Sequence, residues 1–406
     1  MSKLFALEND NIEALSEVGA ISPEEGATAE AQVEVDAEVA ETDALATAVD
    51  EGTDAAGDME EVETLVADAA ENGEGLDTVA AEAVRLSVQA ICKRVGADPK
   101  SVYSLYATEN FASPSARKAN TQIALEGVGE FLKDMWKRLK AALTRMWEKV
   151  KAFWAKHVST LGRVKKALEA TKAKVKASSG KLNGKAFIEK APSSLVSAFA
   201  GKGDLTVASV QFYLDSQKTI AAGATTTTDL LEAVGKNATD IAALRTAVGR
   251  TVSTIKADKT GIAIVGGEVL TMKFDGDDES KSLRLDVQRE PLADVEEERG
   301  MPIPDKSAVI GLIDGALEVV KTVEQIRKDA EKSEQVGRDA LVKMEKVITD
   351  AANQTPQQKE ALRAGMSALY SFSAQGVKIR NIIASQGVRV SKAVITYATV
   401  CVKQYK

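Results

Sequence analysis

The chain has 406 residues, of which 44% are hydrophobic but only 4% aromatic, and its formal net charge at neutral pH is −8. That total hides two segments of opposite sign: residues 1–109 carry 5 basic and 26 acidic side chains, a net charge of −21, whereas residues 110–406 carry 47 and 34, a net charge of +13. Such an asymmetry is typical of an interaction tail or a removable segment and argues against an enzyme core.

Cysteine usage and hydropathy limit the cellular setting. Cys92 and Cys401 make neither a disulfide framework nor a CxxC metal pair, which indicates free thiols in a reducing compartment. The N-terminus lacks the apolar core of a signal peptide, and the longest apolar run, residues 393–402, is too short to span a bilayer. We therefore expect a soluble protein with no transmembrane segment.

The acidic N-terminal part predicts little ordered structure before its first helix. Residues 18–75 are rich in Ala, Glu, Asp, Thr and Gly and poor in aromatic residues, so they bury too little apolar surface to offset the entropy of ordering. We predict that this stretch is disordered. An amphipathic helix is predicted at 76–95 with Asp77 as its N-cap, and the small polar sequence ASPSARKAN at 112–120 is predicted to be an accessible connection.

The strongest periodic signal begins near Val128 and predicts a long amphipathic helix. Apolar side chains recur with alternating spacings of four and three residues, which keep one stripe of a helix facing a partner. The seam consists of Trp136, Leu143, Trp147, Val150, Trp154, His157, Leu161, Val164, Leu168 and Val175. Residues 127–176 carry 14 basic and 4 acidic side chains, a net charge of +10, so the helix also presents a basic face.

The next part of the sequence predicts short helices and one β element. A linker at 177–185 precedes helices over 186–256, which the sequence AAGATTTTD at 221–229 is expected to divide. Alternating β-branched residues around Gly-Gly and DGDD turns then predict a small antiparallel element at about 261–289. An irregular acidic loop follows it.

Long helices at 306–351 and 356–404 complete the chain, with kinks expected at Gly162 and Gly387. The predicted fold is mainly α: long amphipathic helices in a bundle, with a disordered acidic N-terminal segment and one small antiparallel β element. The expected segments are the acidic part at 1–109, the basic tryptophan helix at 110–180, short helices at 181–260, the β element and acidic loop at 261–305, and C-terminal helices at 306–406.

A search for chemistry finds no catalytic constellation. The one histidine, His157, lies in the helix seam, where packing is its expected role, and one histidine with two remote cysteines does not make a zinc site. The glycine-containing stretches lack the spacing of a phosphate-binding loop, and FDGDDES at 274–280 is expected to be a charged turn. We predict no enzyme activity, no metal and no cofactor.

The basic tryptophan helix admits three interpretations. Its stripe can be a bundle seam with a solvated basic face, its basic face can bind nucleic-acid phosphates without reading sequence, or the helix can lie on an anionic membrane surface. The first two are compatible. The basic face is assigned to Lys133, Lys137, Arg138, Arg145, Lys149 and Lys151, and the assembly seam to Trp136, Trp147 and Trp154.

The charge changes sign at a recognisable tripeptide. Ala107, Thr108 and Glu109, followed by Asn110, resemble the Ala-x-Glu sites after which prohead proteases of giant tailed phages related to phage phiKZ cleave capsid-interior proteins. Internal head proteins of that family have acidic propeptides, removed during head maturation, and long helical mature parts. The resemblance rests on this tripeptide and on the arrangement of the chain, and a cut after Glu109 would separate the two charged segments.

The resemblance implies a prohead core or inner-body protein made as a precursor in the host cytoplasm and kept inside the virion head. The expected partners are the prohead protease, capsid or core proteins, and double-stranded DNA bound without sequence preference. Self-association through the 128–175 helix is a further expectation. The acidic segment would cover the basic body until cleavage, after which the mature part would contact packaged DNA or the capsid interior.

Two other classes of function stay open at this point. One is a membrane-surface or filament-associated adaptor, whose basic amphipathic helix binds anionic lipid and whose acidic region is a permanent tail. The other is an enzyme in the β-containing region.

Overall fold

The computed structural model describes residues 22–71, 74–99, 113–183, 186–237, 240–252, 261–274, 283–349 and 356–405. Within these residues the helices are α1 (Pro23–Glu71), α2 (Thr78–Arg94), α3 (Pro114–Ala177), α4 (Ser193–Ala198), α5 (Val207–Lys236), α6 (Ile241–Val252), α7 (Lys306–Thr349) and α8 (Pro356–Gln404). The strands are β1 (Phe187–Ile188), β2 (Ile262–Ile264), β3 (Glu268–Phe274), β4 (Leu285–Pro291) and β5 (Met301–Pro302). The predicted fold class, mainly α with a small antiparallel sheet, is confirmed.

Helix α8 lies at the centre of the bundle. Helices α1, α3, α5 and α7 all pack against it, so it is buried along most of its length and on most of its sides. The aromatic side chains of Tyr370, Phe372 and Tyr397 are fully buried. Buried residues from all the long helices form one contiguous hydrophobic core. Whether the five predicted segments act as separate units stays a prediction.

Helix α1 corrects the prediction of disorder over 18–75. Residues 23–71 form a helix of 49 residues that packs against α3 and α8. Its buried stripe recurs every three or four residues and consists of Thr28, Ala31, Val35, Val39, Thr42, Ala46, Val49, Thr53, Ala56 and Met59. The prediction was wrong because these small side chains let the helices approach closely and cover the larger apolar side chains of the partners. A Cβ at Gly52 would meet Leu139 Cδ2 at 2.7 Å.

The other helices occur where their sequence signals predict them, but some of their bounds and breaks differ. Asp77 caps α2 as predicted, accepting a hydrogen bond from the Ala80 amide at 2.7 Å. Helix α3 has 64 residues and begins at Pro114, earlier than the predicted start, with Ser113 as its N-cap. Helix α5 runs unbroken through 221–229, where a division was predicted.

The threonines of that stretch do not end α5, because they bond to the helix itself. Thr226 Oγ1 donates to the Ala222 carbonyl at 2.9 Å and Thr227 Oγ1 donates to the Ala224 carbonyl at 2.7 Å. Their hydroxyls are thereby satisfied inside the core. Helix α8 likewise continues through Gly387, where a Cβ would meet Val323 Cγ2 of α7 at 2.6 Å. This glycine permits a close helix contact, so the expected kink is replaced by packing.

The predicted β element is a three-stranded antiparallel meander in the order β2–β3–β4. Gln386 of α8 bonds to both backbone polar groups of Val265 beyond β2, at 2.8 and 3.1 Å, which fixes the meander against the central helix. A second pair, β1 with β5, joins the segment after α3 to the acidic loop, and the sequence did not predict it. The predicted turn at 274–280 lies outside the described residues apart from Phe274.

We expect the packing of α1 to be measurable through Met59. Met59→Ala removes a side chain that is 0% exposed and should lower the free energy of unfolding by about 2–5 kcal/mol. Urea denaturation of the full chain measures this difference. Leu65→Ala is the matched control on the same helix, because Leu65 is 52% exposed and its truncation should change stability by no more than about 0.5 kcal/mol. Equal small losses for both variants would contradict a packed α1.

Candidate nucleic-acid interface

The candidate interface is the basic helix α3, and the acidic helix α1 lies antiparallel along one edge of it. Glu24 near the start of α1 pairs with Lys174 near the end of α3, and Glu41 pairs with Lys149, both at 2.7 Å. Lys156 and Arg163 between them pair with Glu38 and Glu34. We call Lys149, Lys156, Arg163 and Lys174 the covered edge. Each of its cations is bound by a carboxylate of α1.

The charge of the two helices explains this pairing. Helix α1 carries 17 acidic and no basic side chains, and α3 carries 16 basic and 5 acidic ones. The hydrogen bond to Glu41 raises the pKa of Lys149, and the hydrogen bond to Glu38 does the same for Lys156. Exposed pairs of this kind contribute only about 0–1 kcal/mol each and weaken with salt. They therefore align α1 on α3, while the apolar stripe supplies most of the attraction.

The six side chains predicted as a basic face are all exposed, but they do not share one environment. Lys149 belongs to the covered edge, and Arg138 pairs with Asp134 of its own helix at 2.7 Å. The other four have no ion-pair partner among the residues that the structure describes. We call these four the open face: Lys133, Lys137, Arg145 and Lys151. Helix α1 thus covers one edge of the basic helix and leaves another face accessible.

The predicted seam faces the interior of this chain. Trp147 and Trp154 are buried, and Arg338 of α7 lies over the Trp147 ring at 5.2 Å from its centroid. Trp136 is half-buried, with its ring centroid 5.4 Å from that of Tyr370 in α8. Neighbouring helices of the same chain therefore fill the seam. Assembly with a second chain through it stays a prediction.

His157 packs in this seam as predicted. It is buried, its ring centroid lies 4.5 Å from that of Phe153, and burial lowers the pKa of its imidazole. Both cysteines are buried free thiols. Across the described segments no group of acidic, cysteine and histidine side chains could hold a metal ion, and none of the helices described is long and apolar enough to cross a membrane.

A set of interior carboxylates on α1 escaped the sequence analysis. Asp50 accepts from Gln375 at 2.8 Å and pairs with Arg284 at 3.2 Å, and burial raises its pKa. Burial raises the pKa of Asp43 as well and that of Glu60 to about 7, because the Arg363 guanidinium, 3.8 Å from Glu60, offsets only part of the desolvation. The three- and four-residue spacing of small residues in α1 was the signal that could have placed these carboxylates at a helix interface.

The predicted cleavage tripeptide, Ala107 to Glu109, and the following Asn110 lie outside the described residues. The nearest described elements on either side are α2, which ends at Arg94, and α3, which begins at Pro114. The tripeptide therefore lies between these two helices in the sequence.

Comparison with known proteins gives a family match. A family model for phiKZ-like phage internal head proteins matches residues 30–399, a range that takes in most of α1 as well as the basic body. No curated protein and no solved structure matches the chain.

Glu60 predicts a pH-dependent contribution to stability. Its carboxyl group has a pKa of about 7 in the folded chain against an ordinary 4.5, so the folded state keeps a proton that the unfolded chain has lost. The contribution of Glu60 to stability is therefore lost as the pH rises from about 4.5 through 7. Glu60→Gln should be more stable than the parent by about 2–3 kcal/mol at pH 8.5 and nearly equal to it at pH 4.5.

Urea denaturation of both proteins at the two pH values measures this difference. Glu61→Gln is the control, because Glu61 is the exposed neighbour of Glu60 and should show no such change with pH. A Glu60→Gln effect of the same size at both pH values would contradict the raised pKa.

Proposed function

The chain belongs to the phiKZ-like phage internal head proteins, and we propose that it is made as a precursor that a prohead protease cleaves after Glu109. As an internal head protein it is a structural protein located inside the virion head. Assembly would begin in the host cytoplasm, with capsid or core proteins as partners. The mature part, residues 110–406, would contact packaged double-stranded DNA or the capsid interior. No catalytic activity is part of this proposal.

The observation that carries the proposal is the row of carboxylates on the covered edge. Glu24, Glu34, Glu38 and Glu41 occupy cations of α3 in the way that nucleic-acid phosphates would. While α1 is in place, DNA phosphates must displace these carboxylates before they can bind the four cations. The open face would bind phosphates with or without α1. Removal of α1 would therefore add the covered edge to the interface.

The packed state of α1 changes the mechanism expected from the sequence. A disordered acidic tail would compete with DNA through its high effective concentration alone. Helix α1 instead sits in the core, so a cut after Glu109 severs the connection to α3 without breaking any contact that α1 makes. Cleavage would thereby turn the contact of α1 with α3 and α8 from an intramolecular into a bimolecular one. Dilution and competing DNA phosphates can then favour the dissociation of α1.

A membrane-surface adaptor fits the structure less well. That function needs the apolar stripe of the basic helix to face lipid. Trp147 and Trp154 are instead buried between helices of the same chain. An enzyme in the β-containing region has no observation in its favour.

Cleavage predicts a defined mature N-terminus. Mass spectrometry of purified virions should show a chain that begins at Asn110, with abundant peptides after that residue and almost none before it. Glu109→Gln should leave the precursor uncut, because the proposed site requires a carboxylate at this position. Equal peptide coverage of residues 1–109 and 110–406 in virions would contradict processing.

The covered edge predicts a specific change in DNA affinity without any cleavage. The full chain with Glu34→Gln, Glu38→Gln and Glu41→Gln should bind duplex DNA more tightly than the parent. Lys149 and Lys156 lose their carboxylate partners, and Arg163 keeps only Glu30, at 4.0 Å. The slope of log affinity against log salt should steepen by about 2–3 as three more phosphates are neutralised. Fluorescence anisotropy with duplexes of two unrelated sequences measures affinity, salt slope and sequence preference.

A matched control separates contact from net charge. Glu51→Gln, Glu61→Gln and Asp68→Asn remove the same charge from exposed positions of α1 that have no ion-pair partner among the described residues. Tighter binding by this control to the same extent would show that only net charge matters and would refute a covered edge. A different result would favour the membrane-surface adaptor: the parent and the covered-edge variant both fail to bind DNA at low salt, and anionic vesicles shift their tryptophan emission to shorter wavelength.

A further inference from the structure

A small cavity lies between four helices of the bundle, away from the covered edge, and exposed Lys151 and Glu331 are among the residues that line it. Its volume is about 30 Å³, and side chains of α3, α5, α7 and α8 line it. Since one water needs about 10–15 Å³ by this measure, the cavity has room for one or two occupants of that size. A nucleotide or a peptide side chain is too large for it.

The guanidinium of Arg380 lines this cavity with an unbalanced charge. Arg380 is 3% exposed, and Nη2 donates to Thr228 Oγ1 at 2.9 Å and to the Ala224 carbonyl at 3.3 Å. Among the described residues no carboxylate lies within ion-pair distance of it, and its Nε–H has no acceptor. Burial lowers the pKa of Arg380 to about 10, so the group is still charged at neutral pH. An isolated buried charge is strongly unfavourable unless an opposite charge neutralises it.

Two further donors without partners line the same cavity. Trp154 Nε1 on α3 and Ser373 Oγ on α8 are both buried and have no hydrogen-bond partner in the described structure. Together with Arg380, the cavity is therefore lined by three residues that each carry a buried N–H or O–H group without a partner in the described structure. Such a set is suited to an occupant that accepts several hydrogen bonds.

The remaining charges around the cavity cancel without Arg380. Glu334 also lines it but is held by Arg338 at 2.9 Å. Glu331 and Lys151 are exposed lining residues of opposite sign. Asp329 of α7 acts on Arg380 electrostatically without forming an ion pair with it, and burial still dominates its effect on the guanidinium. The charge left for an occupant to balance is therefore the positive charge of Arg380.

We propose that this cavity binds one small monovalent inorganic anion, such as chloride, between Trp154, Ser373 and Arg380. The anion accepts hydrogen bonds from donors that otherwise have none and neutralises the guanidinium inside the core. Because Trp154 belongs to α3 and the other two residues to α8, the bound anion joins the basic helix to the central one. A water molecule can accept from two of these donors, but it leaves the charge unbalanced.

Tryptophan fluorescence and thermal unfolding test the site in the full chain. Tryptophan is the fluorophore and bromide is the quencher, because a heavy anion in this cavity lies against Trp147 and Trp154 and quenches their emission. When bromide replaces gluconate at constant ionic strength, the quenching of tryptophan emission should include a saturable phase. Chloride should raise the unfolding temperature by about 2–4 °C between a chloride-free buffer and 100 times the dissociation constant.

Three variants locate the site. Arg380→Met should lose both the saturable quenching and the dependence of unfolding temperature on chloride. Ser373→Ala removes one donor and should weaken bromide binding about five- to tenfold while keeping the saturable phase. Arg389→Met is the control, because Arg389 lies on the same helix but is bound by Asp36 at 2.9 Å. It should keep both anion effects whatever its own stability.

Two results with the parent protein would together show a water-filled cavity and overturn the proposal. The unfolding temperature would be the same in bromide, chloride and gluconate, and quenching by bromide would be linear, with no saturable phase. Saturable quenching that persists in Arg380→Met would place the anion elsewhere and overturn it as well. If Arg380→Met does not fold, the parent and Ser373→Ala still give a decisive comparison, since equal bromide affinity in both would refute the site.

Discussion

The burial of helix α8 is the constraint on which the rest of the structure depends. Polar side chains on a helix enclosed by other helices lose their water and need partners from the surrounding elements. Asn381 donates to Thr42 at 2.8 Å and to Asp43 at 2.7 Å, and Ser385 donates to Asp36 at 2.6 Å. The acidic N-terminal helix is therefore part of the polar core.

Besides these buried hydrogen bonds, two further kinds of contact hold α1 in place, and they respond differently to the surroundings. The stripe of small residues packs against α3 and α8 through apolar contacts that salt does not screen, whereas the exposed pairs with the covered edge weaken as salt rises. Under the proposed processing, loss of α1 would leave Asn381, Ser385 and Arg389 without their acidic partners. The vacated surface would then be hydrated or occupied by another molecule in the head.

Helix α3 serves the core and the surface at once. Its heptad seam turns Trp147 and Trp154 inward, which places its lysines and arginines on the outside along a helix of 64 residues. Interaction with phosphates then requires no change in the core contacts of α3. The same geometry makes the accessibility of the covered edge depend on α1. The cations of this edge flank the seam, so a helix packed on the seam can pair with them.

Much of this protein was predictable from local sequence. Several patterns that neighbouring residues specify led to the correct element: the heptads of the basic helix, the Asp77 cap and the alternating residues of the β meander. The sign change near Glu109 led to the correct family.

The sequence could not determine which surfaces meet. Residues 23–71 have too little apolar surface to order alone, and they are helical because α3 and α8 supply a complementary groove and opposite charge. The partners of Arg380 depend in the same way on four helices distant in the chain. Burial and the loss of water arise only when those helices come together. Tertiary structure alone therefore decided that α1 is packed and that, among the described residues, no carboxylate lies within ion-pair distance of the Arg380 guanidinium.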